Sequence, residues 1–424
     1  LLAKLSHFRL VGVGQLSRLQ GLIDLRHQCR ALCGKGGRGE RHNRCGGKQP
    51  AHCHEHTSGL PDIRQEGSPA SGVGPVTAAP DPINLSIGQP DFAAPAEMQQ
   101  AAIDAIRQGR NGYALSQGIP PLREALLAQV RREFDQPDRD LLITSGTSGA
   151  LMLALLAVVN PGEEVVVFDP YFVMYDSLAL ALGARVVYVD TYPDFRIDLN
   201  KVEAAVGPRT KLIIFNSPAN PTGVVPGEAE VRDLAELAQR KGVVLLSDEI
   251  YRAFCYDRPF VSPARFNPQT LVIDGMSKSH GVPGWRLGFA HGPAPIIREM
   301  LKLQQYSFVC APHPLQWGGL AGLSSDLKGH IEAYRAKRDR FVAALRDDYE
   351  VVVPGGAFYV FPKAPWGTAE EFVHEAIERH QLLIIPGKVF SRRDTHFRIS
   401  YAAADATIER GIEALRSLAR RRRP

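Results

Sequence analysis

Short apolar runs alternate with longer helical stretches from about residue 83 onward. Seven runs have the length and the Val, Ile, Leu and Phe content of buried strands. The segments between them are amphipathic or rich in small residues, as in 228–240. This alternation predicts a mostly parallel sheet covered by helices on both faces. The predicted strands are residues 141–144, 164–168, 185–189, 211–215, 243–247, 270–274 and 286–290.

The pattern changes after about residue 310. A long polar helix at about 326–347 is followed by short strands, a helix and a final helix. This order is typical of a smaller α+β domain. We therefore predict a large domain over residues 111–308 and a small domain that combines 81–110 with 309–424.

Composition agrees with a two-domain globular chain. The 424 residues are 44% hydrophobic and 22% charged, and no apolar stretch approaches the roughly 18 to 20 residues of a membrane-spanning helix. The net charge of +5 is concentrated at the start, because residues 1–56 hold ten basic and three acidic residues. The remaining 40 basic and 42 acidic residues give no electrostatic reason to expect nucleic acid as a partner.

Residues 1–80 differ from the rest of the chain. They are rich in Gly, Arg and His and show no sustained helix or strand period, and the first Met is Met98. Their four cysteines do not follow a paired Cys-x2-Cys pattern, so we expect no metal site there. We expect this segment to be a disordered or non-native extension.

Polar residues follow three of the predicted strands at their carboxyl ends, where open α/β sheets bind ligands. These are Lys278, Asp248 and the turn-rich loop 216–223. An acid in that position is partly desolvated and needs a cationic or protonated partner. Each also has an ordinary structural interpretation: an exposed loop lysine, a helix N-cap and a simple turn. The helix that opens within 144–149 either binds a phosphate or is an ordinary capped helix start.

In their order and spacing, these segments resemble the class I and II aminotransferases, pyridoxal-phosphate (PLP) enzymes of fold type I related to aspartate aminotransferase. The resemblance extends over residues 83–414, nearly all of the globular part. It implies an α/β fold with a large, mostly parallel sheet domain and a smaller α+β domain. The motifs that carry it are NLSIGQPDF (84–92), SPANPTG (217–223), SDEIY (247–251), SKSHGVPGWRLGF (277–289) and FRISYA (397–402).

The resemblance assigns cofactor roles that fit the chemistry of the side chains. Lys278 would hold PLP as a Schiff base and later move the proton at the substrate Cα. Asp248 would keep the pyridine nitrogen protonated, and Tyr251 and Asn220 would hydrogen-bond the ring O3′. Phe172, for which core packing is the ordinary alternative, would stack on the ring. The residues implied around the phosphate are Ser145, Gly146, Thr147, Ser277 and Arg286.

The resemblance also assigns substrate and subunit contacts. Arg398 would clamp the substrate α-carboxylate with two hydrogen bonds, and Asn220 and the backbone of Gly88 would lie against the substrate. Tyr113 would reach the phosphate of a neighbouring subunit, which implies a homodimer with shared active sites. Residues 1–80 do not resemble the stretch that helps close the site in relatives, so substrate selectivity is not predicted from them.

The implied reaction is a two-step exchange in which an L-amino acid gives its nitrogen to the cofactor and a 2-oxo acid, such as 2-oxoglutarate, collects it. Aspartate is the first candidate donor. One alternative is a PLP-dependent carbon–sulfur or β-lyase on the same fold, and another is a non-catalytic aminotransferase-like sensor domain. Cys255 and Cys310 are isolated in the core region, which favours a cytoplasmic location.

Overall fold

The computed structural model describes residues 81–420. The expectations for residues 1–80 therefore lie outside the described part. Among the described residues, no helix combines the length and apolarity that crossing a membrane requires.

Twelve strands lie in this part of the chain. The first is β1 (Ile83–Asn84), and the seven predicted strands appear as β2 to β8, most of them one or two residues longer than predicted. The strands are β2 (Arg139–Ser145), β3 (Glu164–Asp169), β4 (Arg185–Asp190), β5 (Thr210–Asn216), β6 (Val244–Asp248), β7 (Leu271–Gly275), β8 (Leu287–Pro293), β9 (Tyr359–Val360), β10 (Leu382–Leu383), β11 (Ile385–Pro386) and β12 (Phe397–Ser400).

The large sheet has the order β2-β8-β7-β6-β5-β3-β4. Strand β8 is antiparallel to both of its neighbours, and the pairs from β7 to β4 are all parallel. Strands β11, β12 and β9 form an antiparallel sheet of three, and β1 pairs with β10 in parallel. The predicted α/β class with a mostly parallel sheet is thereby confirmed.

Twelve α-helices surround these sheets within the described residues. They are α1 (Ala96–Arg107), α2 (Pro120–Phe134), α3 (Gly146–Val158), α4 (Met174–Ala181), α5 (Leu199–Ala205), α6 (Glu228–Lys241), α7 (Met276–Ser279), α8 (Ala294–Tyr306), α9 (His313–Gly322), α10 (Lys328–Leu345), α11 (Ala369–His380) and α12 (Asp405–Arg420). The predicted helices at 228–240 and 326–347 correspond to α6 and α10.

The central strands are apolar at nearly every position because both faces of the sheet are covered. On β5, Leu212 and Ile214 enter a core with α3 and α8, whereas Ile213 and Phe215 enter a second core with α6. A separate core joins α10, α11 and α12 to β9 and β12. The carboxyl ends of β5, β6 and β7 therefore lie side by side in a rigid frame, which is where the polar residues of the candidate site begin.

Candidate active site

A cavity of about 270 Å³ lies at the carboxyl ends of β5, β6 and β7, beside the first turn of α3. Chain segments from both the large sheet and the three-stranded sheet contribute to its wall. The predicted site residues that line it are Gly88, Thr147, Phe172, Asn220, Asp248, Tyr251, Ser277, Lys278, Arg286 and Arg398. Residues far apart in the sequence, such as Gly88, Lys278 and Arg398, thus meet at one place.

Lys278 lies in the short helix α7, three residues after the end of β7. Its Nζ donates a hydrogen bond to the carbonyl oxygen of Gly88 at 2.6 Å. Burial lowers the pKa of its ammonium group to about 8, and the nearby Arg398 and Arg286 act in the same direction. A larger fraction of this amine than of an exposed lysine is therefore neutral near neutral pH, and the neutral amine is the nucleophilic and basic form.

Asp248 is the last residue of β6 and is buried. The hydroxyl of Tyr175 donates to its Oδ2 at 2.8 Å, and the N–H of Ile250 donates to Oδ1 at 3.2 Å. Burial raises the pKa of this carboxyl to about 6, while these two hydrogen bonds and Lys278 oppose the rise. Such a desolvated acid gains most from a cationic partner inside the cavity.

Arg398 projects from β12, and its guanidinium lies between the rings of Tyr359 and Phe390, 4.6 and 4.5 Å from their centroids. Its Nη1 donates to Asn220 Oδ1 at 3.0 Å, and its Nη2 donates to the carbonyl of Ser86 at 2.8 Å. Its Nε is buried without a hydrogen-bond partner among the described residues. An unpaired buried donor of this kind needs an acceptor, which an anionic ligand would supply.

The end of the cavity away from Arg398 has the features of an anion-binding site. Gly146, the first residue of α3, has φ +69°, and a Cβ at this position would lie 2.6 Å from an Nη atom of Arg286. Arg286 is therefore held against the N-terminus of α3, where backbone N–H groups have no partner within the helix. Ser145, the last residue of β2, occupies the N-cap position of α3 without a side-chain capping hydrogen bond, and its carbonyl accepts from Arg286 at 3.5 Å. Thr147 and Ser277 complete this end of the wall.

The remaining predicted residues lie between these two ends. The Tyr251 hydroxyl is buried and 2.8 Å from the hydroxyl of Tyr359. Asn220 is held by a hydrogen bond from its N–H to Asn216 Oδ1 at 2.8 Å, which orients the loop after β5. Phe172 follows β3 and meets Tyr175 edge to face, with centroids 5.6 Å apart.

Comparison with known proteins identifies the family. The profile of the aminotransferases of class I and II matches residues 80–415. The chain belongs to the class I and II aminotransferases.

A probable aspartate aminotransferase of Methanocaldococcus jannaschii is 35% identical over 354 residues, which cover 80% of this chain and 94% of that protein. A putative aminotransferase of Bacillus subtilis is 38% identical and covers 78% of this chain and 89% of its own length. Among solved structures, the aspartate aminotransferase of Thermus thermophilus with maleate has a TM-score of 0.76 at 34% identity, covering 80% of this chain and 92% of that one.

These similarities confirm the predicted family, the fold type and the aminotransferase activity. They do not favour the lyase or the sensor alternative, because the relatives named here carry aminotransferase names over almost the same span of chain.

Three predicted site residues of this aminotransferase are not among those that line the cavity: Ser145 and Gly146, where β2 ends and α3 begins beside it, and Tyr113. Tyr113 lies in the loop between α1 and α2, with 84% of its surface exposed. Its predicted contact is with a neighbouring subunit, so that role stays a prediction.

Several lining residues of the aminotransferase were not predicted to have a role. Asn216 is the last residue of β5 and donates to the Asp248 carbonyl at 2.9 Å. The sequence had singled out Asn216 only as the first residue of the loop 216–223, without a role of its own. Tyr175 and Tyr359 carry no comparable signal, because they approach the site from α4 and from the three-stranded sheet. The other unpredicted lining residues are Ser148, Ile250 and Pro283.

Proposed function

We propose that this aminotransferase uses PLP, held by Lys278, to move the amino group of an L-amino acid to a 2-oxo acid. The observation that carries the proposal is the meeting of three desolvated charged side chains, Lys278, Asp248 and Arg398, in the wall of one cavity. Three such groups destabilise an empty pocket, so they indicate a ligand with complementary charges.

The cavity fits PLP at each of its chemical groups. Asp248 would accept a hydrogen bond from the protonated ring nitrogen, and that cation would stabilise its charged form. Arg286 and the first amides of α3 would bind the phosphate. Phe172 would lie against the ring face, and Tyr251 and Asn220 would hydrogen-bond the ring oxygen O3′. The donors around the phosphate would be completed by Ser145, Gly146, Thr147 and Ser277.

When bound, PLP supplies an electron-withdrawing ring that stabilises the negative charge left by loss of a proton from the substrate Cα. The amine of Lys278 would hold the aldehyde of PLP and, once free, would accept the proton from the substrate Cα. Asp248 would keep the ring nitrogen protonated. The lowered pKa of Lys278 suits both tasks, since each requires a neutral amine.

Arg398 would hold the substrate. Its guanidinium plane is fixed by two aromatic rings, so its donors face a planar carboxylate without losing much side-chain entropy. Asn220 and the backbone of Gly88 would limit the carboxylate to one orientation. The bond from Cα to its proton would then point toward Lys278.

We propose aspartate as the first donor to test and 2-oxoglutarate as the acceptor. Relatives named as aspartate aminotransferases support this choice. A relative from Mycobacterium tuberculosis is an N-succinyldiaminopimelate aminotransferase, at 31% identity and a TM-score of 0.76. The donor panel should therefore include larger and neutral amino acids.

We also propose a homodimer with shared active sites. Two uncharged segments, 111–122 and 303–325, lie together, because Gln304 Nε2 donates to Ser116 O and a ring nitrogen of His313 lies 3.0 Å from Gly112 O. They expose large apolar side chains at Tyr113, Leu115, Tyr306, Phe308 and Val309. An apolar surface of this kind supports burial against a second copy. Such a contact would bring Tyr113 to the partner's phosphate site.

A cytoplasmic location is proposed for the same protein. The two cysteines in the described residues, Cys255 and Cys310, are unpaired, which is typical of a reducing compartment.

The experiment that tests the PLP proposal is visible absorption of the purified protein, recorded for the wild type, for Lys278→Ala and for Lys302→Ala. We expect a visible PLP band in the wild type and in Lys302→Ala, whose lysine is exposed on α8. Lys278→Ala should lose the covalent band and at least about 100-fold in transamination rate.

Single amino acids are then added without an oxo acid. Conversion of the band by one group of amino acids, reversed by 2-oxoglutarate, would identify the donor. A wild-type protein that shows no band after added PLP would contradict the proposal.

A further inference from the structure

Residues 84–92, which we call the strap, connect the cavity to the outer helix α10. The strap begins in β1 and is held there by backbone hydrogen bonds from Leu85 N to Leu383 O and from Ser400 N to Leu85 O. Beyond this point it has no regular secondary structure through residue 92. Its path therefore depends on the contacts that individual residues make.

The inner half of the strap contacts two charged residues of the site through its backbone. Ser86 O accepts from Arg398 Nη2 at 2.8 Å, and Gly88 O accepts from Lys278 Nζ at 2.6 Å. A Cβ on Gly88 would lie 2.2 Å from the hydroxyl of Tyr359. The backbone at residues 86–88 is thus fitted against the cavity wall, and a small displacement would move the acceptor that orients Arg398.

The outer half of the strap is fixed by Asp91. The Tyr334 hydroxyl donates to Asp91 Oδ1 at 2.7 Å and accepts from its N–H at 3.1 Å. Lys337 Nζ donates to Asp91 Oδ2 at 2.5 Å and to the carbonyl of Ala403 at 2.7 Å. The side chains of Lys337 and Asp91 are only 13% and 24% exposed, so this ion pair is less screened than a surface pair.

Phe92 joins the same anchor to the loop that follows Lys278. Its ring stacks on His330 of α10 with centroids 3.8 Å apart and an interplanar angle of 11°. On the other side lies Gly281, with φ +66°, where a Cβ would be 2.7 Å from the Phe92 carbonyl. The strap end is therefore packed between α10 and the chain three residues beyond Lys278.

We propose that Asp91 is a positioning residue for the amino-acid substrate. It does not line the cavity, but its bonds to Tyr334 and Lys337 fix the strap so that the carbonyl of Ser86 orients Arg398 and the backbone of Gly88 stays against the cavity wall. Asp91 thereby sets how tightly the substrate carboxylate is held, and it leaves the PLP contacts unchanged. This inference rests on the proposed function of Lys278 and Arg398.

The test compares Asp91→Asn with the wild type. Asparagine keeps the size and the Oδ1 acceptor, and it loses the charge that faces Lys337. We expect KM for the amino donor to rise about tenfold, with PLP affinity and the visible band unchanged. Amide hydrogen exchange of the PLP-free protein should become faster in the peptide that covers 84–92, and not in the large sheet.

The matched control is Asp104→Asn on α1, where the carboxylate accepts a surface hydrogen bond from Gln100. A double-mutant cycle with Lys337→Gln adds a second check, because two residues of one anchor should lose less together than the sum of their separate losses.

The proposal requires both results: a raised KM for the amino donor and faster amide exchange confined to residues 84–92. An unchanged KM overturns the proposal, and so does faster exchange throughout the protein with loss of PLP, which would show a general role in folding. A wild-type protein that binds no PLP would contradict the proposed function, and the exchange experiment would then still test the anchor.

Discussion

Lys278 shows how the site changes the chemistry of a single residue. An ordinary lysine has a pKa near ~10.4, and here burial together with Arg398 and Arg286 lowers it to about 8. Asp248 is shifted in the opposite direction, to about 6, because burial disfavours its charged form as well. In both residues burial disfavours the charged form, so each gains from a ligand of opposite charge in the cavity.

The lowered pKa of Lys278 predicts how its amine reacts in the PLP-free protein. Only the neutral amine is acylated, so the rate of Lys278 acetylation by limiting acetic anhydride should rise through about pH 8 and then level off. Peptide mass spectrometry measures that rate, with the exposed Lys302 as the internal control. A midpoint above about 9.5 would show that the pocket does not favour the neutral amine.

At the scale of elements, three carboxyl groups lie buried near the carboxyl ends of β6 and β7, where desolvation disfavours their charged forms. Asp274, on β7, is buried close to Asp248 and Glu249. The cation that acts on it is Arg252, which also pairs with Glu133 at 2.5 Å. Burial raises the pKa of Asp274 to about 8, with Glu249 and Asp248 adding to the rise and Arg252 opposing it. The protonated form therefore predominates at neutral pH.

The raised pKa of Asp274 predicts that the stability of the protein depends on pH. The pKa of Asp274 is higher in the folded state than its ordinary value of 3.8, so the folded state binds the extra proton and its stabilisation is lost as pH rises through about 8. Asp274→Asn removes that titration. Between pH 6 and pH 9 the Tm of the variant should fall by about 3 °C less than that of the wild type, measured by calorimetry.

Asp233→Asn, an exposed change on α6, serves as the control for this experiment. Equal losses of Tm in Asp274→Asn and the wild type would mean that Asp274 is already charged at neutral pH.

At the scale of the whole molecule, the division into a large domain at 111–308 and a small domain at 81–110 with 309–424 stays a prediction. The two predicted parts share a core, because Met98 of α1 packs with Leu122 and Leu141.

A second feature at this scale is the uncharged exposed surface of residues 111–122 and 303–325, which a second copy would cover.

The proposed homodimer predicts a mass of about twice the chain mass of 46.5 kDa in light scattering at micromolar concentration. Phe308→Asp would place a charge in the uncharged surface and should shift the protein toward the single-chain mass. It should also lower PLP retention if Tyr113 of one subunit reaches the phosphate site of the other. A wild type of single-chain mass would contradict the shared site.

The amino-acid sequence was enough to predict the succession of strands, the mostly parallel sheet, and the location of Lys278 and Asp248 at the carboxyl ends of strands. These features are local, since an apolar run of four or five residues followed by a polar one identifies a strand end wherever it occurs. Arg398 and Phe172 were predicted as site residues by resemblance, and both line the cavity.

The tertiary structure alone decided which side chains surround these residues. Tyr175 meets Asp248 across 73 positions, and Asp91 meets Lys337 across 246. No local pattern encodes contacts at such separations, because they depend on how the helices and the two sheets pack. The same packing sets the desolvation that shifts the pKa values of Lys278 and Asp248, so the reactivity of the site depends on burial as well as on residue identity.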